Sequence, residues 1–421
     1  MQNDHDSSLS DAQILGNAII APIPRVTIQA FCETPDIAAI VHNASIDRRM
    51  NKVHVKIQMG GASAAAEAYG DAPTPNVIMI EAIGDRNNLV RALDALSEVC
   101  DPGTKVVVIG HVNDVLLYRE LMRKGVSEYL IAPIDVIGVL KTISELFTGP
   151  SAESVGRVIA VVGAKGGVGA STICHNLAWT TSRDYGTSTV IADLDVAFGT
   201  AGLDFNQDPP QGIADAIFSS DRIDAAFVDK LLSKCTDNLS ILAAPATLER
   251  TCDFVETALD PVIDYLRASI PYIFLDVPHV WTSWTRRVLV SADEILIVAA
   301  PELASLRNAK SIYDSLRVAR PNDKKPKIIL NMVGVPKRPE ISAADFAKAL
   351  STEVISVIPF DAQLFGTAAN NGQMVAELQP AGKINELLEE LTNVTMGRPE
   401  QKRARKNLFD PILSRLNRMK A

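Results

Sequence analysis

The sequence lacks the marks of a secreted or membrane-spanning chain. No Lys or Arg precedes Arg25, whereas a secretory signal peptide begins with a positively charged region. No uninterrupted apolar run reaches the roughly 20 residues that a membrane-spanning helix needs. We therefore expect a cytoplasmic chain, and any association with the inner membrane or the cell pole is expected to be peripheral.

Cysteine and histidine are also sparse. The five cysteines show neither CxxC spacing nor an obvious pairing, which is typical of buried thiols in a reducing compartment. The six histidines form no cluster with metal-ligand spacing. His175, which follows a glycine-rich turn, is therefore expected to be packed in the interior rather than catalytic.

The sequence does contain enough apolar material for two cores. A chain of 421 residues exceeds one typical domain, and 47% of these residues are hydrophobic. The small, polar stretch 148–154 contains Gly149 and Pro150 and separates two patterned regions. Because glycine and proline interrupt regular structure, this stretch predicts a linker between two domains.

Before this linker, five strand-like runs alternate with amphipathic segments such as 113–124. The runs cover residues 26–31, 54–59, 77–82, 105–110 and 128–131. Five alternating units predict a small flavodoxin-like domain. An unrelated small α/β domain fits the same pattern.

After the linker, an apolar run begins at Val158 and further strand candidates follow. They cover residues 189–193, 239–243, 272–276, 294–299, 327–332 and 354–358. Because helix-length sequence separates them, they predict an α/β fold with a doubly wound, mostly parallel sheet. A nucleotide is expected at the C-terminal ends of such strands.

A phosphate-binding loop follows the run that begins at Val158. Its glycine-rich turn leads into a helix that is expected to start near Ser171, so that backbone N–H groups converge on an anion. The residues predicted to contact nucleotide are Gly163, Ala164, Lys165, Gly166, Gly167, Val168, Gly169, Ala170, Ser171 and Thr172. An ordinary loop of this type has lysine immediately before the Ser/Thr. Ala170 holds that position here, and the remaining lysine is Lys165 at the start of the loop.

Acidic residues end two of the predicted strands. Asp276 ends an apolar run and is expected to help fix Mg²⁺, while Ser171 supplies a hydroxyl ligand. Asp193 and Asp195 lie at the end of another strand, where an acid orients water or binds Mg²⁺ through water. Aspartate also commonly ends a strand and starts a turn, and this simpler interpretation would be preferred if the phosphate-binding loop were absent.

The segment 165–169, Lys-Gly-Gly-Val-Gly, resembles the deviant loop of the MinD/ParA ATPases. The resemblance implies that ATP and Mg²⁺ are the ligands and that the chain forms a homodimer. It implies two catalytic residues: Lys165, which crosses the dimer interface to the partner's nucleotide, and Asp195, which matches the switch I aspartate. An asparagine amide offers a donor and an acceptor to adenine. The positions assigned to the base are Asn331, Pro359 and Phe360.

The first domain resembles a response-regulator receiver. Residues 125–133 are similar to the segment Gly-Ala-x-x-Tyr-Leu-x-Lys-Pro that contains the last receiver strand. The lysine of that segment is Ala132 here, and the phosphate-acceptor position is Glu81. A working receiver needs an acidic cluster for Mg²⁺ and an aspartate that accepts phosphate. We therefore interpret the domain as a degenerate receiver used for binding.

The receiver, the deviant loop and residues 175–179 together resemble the TadZ/CpaE pilus-assembly family. The predicted organisation is a flexible segment (1–24), a receiver-like domain (25–148), a linker (149–156), a MinD/ParA-like P-loop ATPase domain (157–397) and a basic amphipathic tail (398–421). The resemblance implies ATP-dependent dimerisation. Because Ala170 removes a direct cationic contact to the transferring phosphoryl group, we expect a weak ATPase whose hydrolysis is slow or vestigial. It also implies localisation and assembly of Flp/Tad type IVb pili, with the secretion machinery or a polar landmark protein as partner.

Two alternatives use the same fold, namely ParA-like DNA partitioning and MinD-like positioning of cell division. The lysines of 324–327 would touch DNA phosphates, but isolated lysine runs are usually solvated, so DNA is a disfavoured partner. A tyrosine kinase is disfavoured because no tyrosine follows Tyr313. An iron–sulfur reductase is disfavoured because no cysteine follows Cys252.

The tail 398–421 carries eight Lys/Arg residues and two acids, a local charge of +6 in a chain of formal net charge −9. Its apolar residues recur at helical spacing between basic ones, which predicts a basic amphipathic helix that binds an anionic membrane. A solvated or domain-packing tail fits this composition equally well.

Overall fold

The computed structural model describes residues 20–70, 72–84, 86–148, 155–219, 223–248 and 254–397. These residues form two α/β units, each built around its own sheet. The α/β fold class predicted from the sequence is confirmed. The basic tail at 398–421 and most of the expected linker lie outside the described residues.

The first unit contains five parallel strands in the order β2-β1-β3-β4-β5. They are β1 (Thr27–Cys32), β2 (His54–Met59), β3 (Val77–Ala82), β4 (Lys105–Gly110) and β5 (Glu128–Ile131). This is the flavodoxin-like order, in which β1 and β3 flank the point where the direction of winding reverses. The prediction of a flavodoxin-like first domain is confirmed.

Five helices and one short 3₁₀ helix cover this sheet. They are α1 (Pro35–Ser45), α2 (Gly61–Ala68), α3 (Arg86–Val99), α4 (Val115–Arg123), α5 (Val136–Phe147) and the 3₁₀ helix Arg48–Met50. Thr34, Asp114 and Asp135 start α1, α4 and α5, because each side chain accepts a first-turn backbone N–H. The core of this unit also includes Ile23, which is 1% exposed and precedes the boundary expected at residue 25.

The second unit contains eight strands in the order β13-β12-β11-β6-β10-β7-β9-β8. They are β6 (Arg157–Gly163), β7 (Thr189–Asp193), β8 (Ser233–Lys234), β9 (Leu239–Leu242), β10 (Tyr272–Val277), β11 (Glu294–Ala299), β12 (Lys327–Val333) and β13 (Val354–Pro359). All neighbours are parallel except β8, which pairs antiparallel with β9 at the edge. The sequence pattern did not predict β8, because two residues are too short to show an alternating period.

The helices of the second unit cover both faces of its sheet. They are α6 (Ala170–Tyr185), α7 (Ala201–Asp204), α8 (Ile213–Phe218), α9 (Ala225–Leu231), α10 (Asp260–Ser269), α11 (Ser283–Ser291), α12 (Leu303–Ala319), α13 (Ala343–Leu350), α14 (Ala362–Asn371), α15 (Val375–Leu378) and α16 (Lys383–Met396). Within the described part of the chain, no helix combines the length and the apolar character needed to cross a bilayer.

Burial on both faces explains the continuous apolar run of β6. Val158 and Val162 belong to one core cluster, whereas Ile159 and Val161 belong to the cluster on the opposite face. Strands covered on both sides need apolar residues at every position. The central position of β6 also brings its C-terminal end between those of β10 and β11, which defines the edge where the candidate site lies.

Candidate nucleotide-binding site

The loop 163–169 connects β6 to α6 at the carboxyl edge of the large sheet. The Ala164 N–H donates to the Val298 carbonyl on β11 at 2.8 Å, which ties the loop to the neighbouring strand. The helical ladder of α6 starts when the Ile173 N–H donates to the Gly169 carbonyl at 3.1 Å. The preceding amides of the first turn have no acceptor within the helix and point towards the loop. Unpaired amides of this kind can bind an anion.

Glycine keeps this loop open. Gly167 and Gly169 have φ of +76° and +82°, a left-handed conformation that glycine adopts without strain. A Cβ atom added at Gly166 or Gly167 would meet no heavy atom within 4 Å, so the space above the loop is free. The free space and the aligned amides fit a phosphate chain.

Asn331, near the end of β12, fixes the phosphate-binding loop by a side-chain hydrogen bond. Its side chain is 5% exposed, and its Nδ2 donates to the Val168 carbonyl at 2.9 Å. A Cβ at Gly169 would lie 2.5 Å from the same Nδ2 atom, so this position requires glycine. Asn331 therefore anchors the loop, a role that the sequence did not predict. The adenine contacts assigned to Asn331 and, at the neighbouring strand end, to Pro359 and Phe360 stay predictions.

Two strand-end carboxylates are buried beside the loop. Asp276 ends β10 with 3% of its surface exposed, and Asp193 ends β7 with none exposed. Burial, followed by the charge of Asp276, raises the pKa of Asp193 from 3.8 to about 7. The Asp193 carboxylate accepts the Asp195 N–H at 3.2 Å and the Ala201 N–H at 3.0 Å, so it organises the following loop.

His175 on α6 lies against the same carboxylates and is fully buried. Its Nδ1 lies 2.7 Å from Asp204, and its Nε2 lies 3.4 Å from Asp276, an ion-pair contact that is not a well-formed hydrogen bond. Burial lowers the pKa of His175, but the hydrogen bond to Asp204 and the charges of Asp204 and Asp276 outweigh burial and raise the pKa to about 10. The expectation that His175 is packed is confirmed, and its imidazolium also compensates a strand-end acid.

The side chains of Asp276 and Ser171 are of the kind that binds Mg²⁺. Among the described residues, no group of three or more His, Cys, Asp or Glu side chains is arranged to hold a metal by itself. Mg²⁺ is typically held by one or two carboxylates together with substrate phosphates and water. Asp276 and the Ser171 hydroxyl, at the start of α6, are the groups that would hold it. The Asp195 carboxylate accepts the Phe198 N–H at 3.0 Å and therefore also shapes a turn.

Lys165 lies on the open side of the loop. Its ammonium forms an ion pair with the carboxylate of Glu302, which immediately precedes α12. The side chain of Lys165 is 42% exposed and that of Glu302 is 29% exposed. The ammonium is thus held at the surface by a partner in the same chain.

The loop after β10 also contacts the phosphate-binding loop. His279 Nδ1 lies 3.0 Å from the Gly163 carbonyl, and because a carbonyl only accepts, this nitrogen carries the proton. The neighbouring Trp281 is half-exposed and lines a cavity of ≈ 300 Å³ together with Gly163 and α12. Trp284, by contrast, packs on Phe254 with ring centroids 4.9 Å apart. Trp281 is therefore the more exposed of these two tryptophans.

The contacts of Glu302 and His279 were not predicted from the sequence. Both follow strands that neighbour β6, and the carboxyl ends of neighbouring parallel strands lie at one edge. A search for polar residues just after β10 and β11 would have found them.

The corresponding edge of the receiver-like unit is filled. Glu81 is fully buried at the end of β3, and its carboxylate accepts four hydrogen bonds. The donors are Glu33 N at 2.7 Å, Thr34 N at 2.8 Å, Thr34 Oγ1 at 2.8 Å and His111 Nε2 at 3.0 Å. Burial raises the pKa of Glu81, but these bonds outweigh burial and hold the pKa below its ordinary value. No acceptor position of this carboxylate is left for a phosphoryl group, which agrees with a degenerate receiver.

Residues 156–329 match a family model described as an AAA domain. The septum site-determining protein MinD of Synechocystis sp. is 27% identical over 227 residues, which are 52% of this chain and 80% of that protein. The MinD structure from Pyrococcus horikoshii OT3, solved in complex with Mg-ADP, is 20% identical and covers 57% of this chain and 95% of that chain, with a TM-score of 0.51. At this identity the likeness shows a shared fold.

A third relative matches a different share of the chain. The pilus assembly protein CpaE from Caulobacter crescentus CB15 is 46% identical and covers 30% of this chain and 96% of that chain, with a TM-score of 0.29. Together with the AAA model and the MinD relatives, this identity shows that the chain belongs to the MinD/ParA superfamily of ATPases, in its TadZ/CpaE group of pilus-assembly proteins.

Proposed function

We propose that this chain is an ATP-dependent dimerising factor that localises and assembles Flp/Tad type IVb pili, with slow ATP hydrolysis. The observation that carries the proposal is the position of Lys165. The loop offers an open anion site, but Ala170 replaces the usual phosphate-binding lysine, and Lys165 lies at the surface beside Glu302. The Lys165 ammonium at the surface is available to the nucleotide of a second copy of this chain.

In this proposal the amides of the loop and of the first turn of α6 bind the phosphates. Ser171 and Asp276 would hold Mg²⁺, which would neutralise phosphate charge when bound. Asp195 orients the attacking water. Asn331 keeps the loop in its binding shape through the Val168 carbonyl.

Slow hydrolysis follows from Ala170. A single cationic group at a transferring phosphoryl supplies a factor on the order of 10³ or more in rate. We expect the purified chain to bind Mg-ATP and to turn it over at less than about one per second, below the usual range for enzymes. A phosphate-release assay measures this, and turnover of several per second by the chain alone would contradict the proposal.

Dimerisation is tested by Lys165→Ala. If the ammonium meets nucleotide only after association, nucleotide and dimerisation stabilise each other by about 1–3 kcal/mol. Sedimentation velocity with and without Mg-ATP should then show a dimer for the parent chain and a monomer for the variant. The matched control is Lys310→Ala, which removes another exposed lysine in an ion pair, with Asp314, on α12. Equal dimerisation of both variants would remove the role of Lys165 across the interface.

The pilus assignment is supported by the 46% identity to the Caulobacter CpaE protein. We expect cells in which Lys165→Ala replaces the parent chain to lack surface pili, and to lose polar foci of the fluorescently tagged protein. Electron microscopy and fluorescence microscopy measure these outcomes. Normal piliation of cells that lack the chain would contradict the assignment to pilus assembly.

The MinD-like alternative has support in the 27% identity to the Synechocystis protein. Filamentous or minicell-forming cells after deletion would favour it. The ParA-like alternative has less support, because Lys327 donates to the Val394 carbonyl at 2.8 Å and lies 3.4 Å from Glu294. DNA binding would appear as retention on DNA that falls steeply with rising salt.

In this proposal the tail 398–421 binds an anionic membrane surface. Each basic side chain near an anionic surface contributes ~1 kcal/mol of attraction. Truncation before Arg398 should reduce co-sedimentation with phosphatidylserine-containing vesicles while Mg-ATP binding persists. If the ATP-bound parent chain does not bind such vesicles, the membrane role is refuted and a protein partner becomes the better explanation for the tail.

A further inference from the structure

The two units meet through the 3₁₀ helix Arg48–Met50. Arg48 is the central residue of the contact, with 7% of its side chain exposed. Its Nε and Nη2 atoms donate to the two carboxylate oxygens of Asp323 at 2.7 and 3.1 Å. Its Nη2 also lies 3.4 Å from Asp293. Such a two-pronged arginine–carboxylate pair fixes orientation as well as distance.

Neighbouring side chains reinforce this contact. Arg49 forms ion pairs with Asp47 at 2.9 Å and with Asp323 of the other unit. Asn322 donates to Asp47 at 3.0 Å. Each buried charge therefore has a partner, so the contact does not leave an isolated charge away from water.

The remaining Arg48 bond reaches α11. The Nη1 atom donates to the carbonyl of Ser291, the last residue of this helix, at 2.8 Å. The last carbonyls of a helix have no intrahelical donor and carry the negative end of its dipole. Arg48 thus satisfies and neutralises the C-terminus of a helix that belongs to the other unit.

The opposite end of α11 lies at the nucleotide site. Thr282 and Thr285 form a capping box at its N-terminus. The loop 278–282 that precedes it follows Asp276 on β10 and contains His279, which donates to the Gly163 carbonyl of the phosphate-binding loop. The nine-residue helix therefore connects the interdomain contact directly to the loop behind Asp276.

We propose that Arg48 is a positioning residue through which the receiver-like unit sets α11, and with it the loop 278–282, for nucleotide binding. This inference rests on the proposed function, because it assumes that the open loop binds Mg-nucleotide. The receiver-like unit thereby acts as a fixed support for the ATPase unit. Because coupling is reciprocal, bound nucleotide also tightens the interdomain contact.

The test uses the full chain and Mg-ADP, which separates binding from ATP-dependent dimerisation. Arg48→Ala should weaken Mg-ADP binding at least fivefold by isothermal titration calorimetry, the lower end of typical couplings between sites. Hydrogen exchange should speed up at residues 278–282 in this variant. In the parent chain, Mg-ADP should slow exchange at residues 47–50, which a merely structural contact would not show.

The matched control is Lys52→Ala. Lys52 also joins the two units, through an ion pair with Asp264, but both side chains are more than a third exposed and neither bonds to the C-terminal carbonyl of α11 as Arg48 does. This variant should bind Mg-ADP like the parent chain. If Lys52→Ala weakens binding as much as Arg48→Ala, general docking and not Arg48 is responsible, and the proposal is overturned.

Arg48→Lys covers the case in which Arg48→Ala fails to fold. Lysine keeps a cation near the helix end but cannot make the two-pronged bond, so it should weaken binding at least twofold and speed exchange at 278–282. Unchanged affinity and exchange in Arg48→Lys, or in a folded Arg48→Ala, overturn the coupling. Absence of Mg-ADP binding by the parent chain would instead refute the proposed function.

Discussion

The carboxyl edges of the two sheets differ, because one is open and the other is filled by side chains of its own unit. At the carboxyl edge of the large sheet, Gly166 and Gly167 face free space and Lys165 is partly exposed. At the same edge of the small sheet, Glu81 is fully buried and accepts four hydrogen bonds from its own unit. Both are places where a doubly wound fold binds ligands. The difference teaches that topology provides the crevice and that local donors and acceptors decide whether a ligand can use it.

The largest expected effect comes from opening the filled edge with Glu81→Ala. Removal of the carboxylate leaves the part-buried amides of Glu33 and Thr34 without their acceptor, and a group left unpaired away from water costs about 1–3 kcal/mol. We expect the receiver-like unit to lose on the order of 3 kcal/mol of stability, measured as faster hydrogen exchange in β1 and β3. The control Glu120→Ala removes only an exposed pair with Arg86 and should change little. Equal exchange in both variants would show that the filled edge is not important for stability.

The same carboxylate predicts a pH dependence. Because the pKa of Glu81 is lowered in the folded chain, its contribution to stability is present above the ordinary glutamate pKa of about 4.3 and is lost as pH falls through the lower folded value. The protection factors of β1 and β3, that is, the observed exchange rates relative to the intrinsic rates at each pH, should therefore fall at acid pH in the parent chain. Glu81→Gln should flatten this dependence, and an unchanged profile would contradict it.

Adding charge to the open edge should give the next largest effect. Ala170→Lys places an ammonium where an ordinary loop has one, and a hydrogen bond to a charged group contributes about 1.5–3 kcal/mol. We expect Mg-ATP to bind about tenfold or more tightly by calorimetry. Ala170→Met has similar length without charge and serves as control. If both variants bind alike, the loop does not present residue 170 to the phosphates.

A smaller effect on nucleotide affinity is expected from Asn331→Ala, which removes the hydrogen bond that anchors the phosphate-binding loop. The Val168 carbonyl would lose its donor at a cost of about 1–3 kcal/mol. Mg-ADP should bind several-fold more weakly, and hydrogen exchange at 164–169 should increase. Asn371→Ala, an exposed asparagine at the end of α14, is the comparison variant. Unchanged loop exchange in Asn331→Ala would contradict the anchoring role.

The smallest effect is expected from Glu302→Gln, which releases Lys165. Partly exposed ion pairs contribute about 0.2–1 kcal/mol, so the ATP concentration for half-dimerisation should fall by less than about fivefold. Sedimentation across an ATP titration measures the shift. A shift to higher ATP would mean that Glu302 supports the dimer and does not compete for Lys165.

Several elements were predictable because their determinants are local. The strand of Val158–Gly163 reads as apolar at nearly every position, and the glycines after it mark a turn into a helix. The acids Asp193 and Asp276 end apolar runs, so their place at the carboxyl edge followed from the parallel sheet alone. The receiver-like unit was recognisable from its five alternating runs, and Glu81 from its place at the end of the third.

Partners distant in sequence were not predictable in this way. Lys165 pairs with Glu302, 137 residues later, and Arg48 pairs with Asp323, 275 residues later. No periodicity joins such positions, since each depends on which strands become neighbours and on how the two units dock. The anchoring of the loop by Asn331 likewise required β12 to lie two strands from β6.

The sequence by itself determined where most of the strands lie, which loop is predicted to bind an anion, and that Ala170 leaves this loop without its usual lysine. Hydrophobic period, glycine conformation and charge are properties of short segments, so they are visible without a fold. Only the tertiary structure decided that one carboxyl edge is open and the other filled. It also decided that Lys165 forms an ion pair with Glu302 and that Arg48 donates to the C-terminal carbonyl of α11. These depend on the saturation of donors and acceptors in three dimensions, because a hydrogen bond forms only between groups that the folded chain brings within about 3 Å.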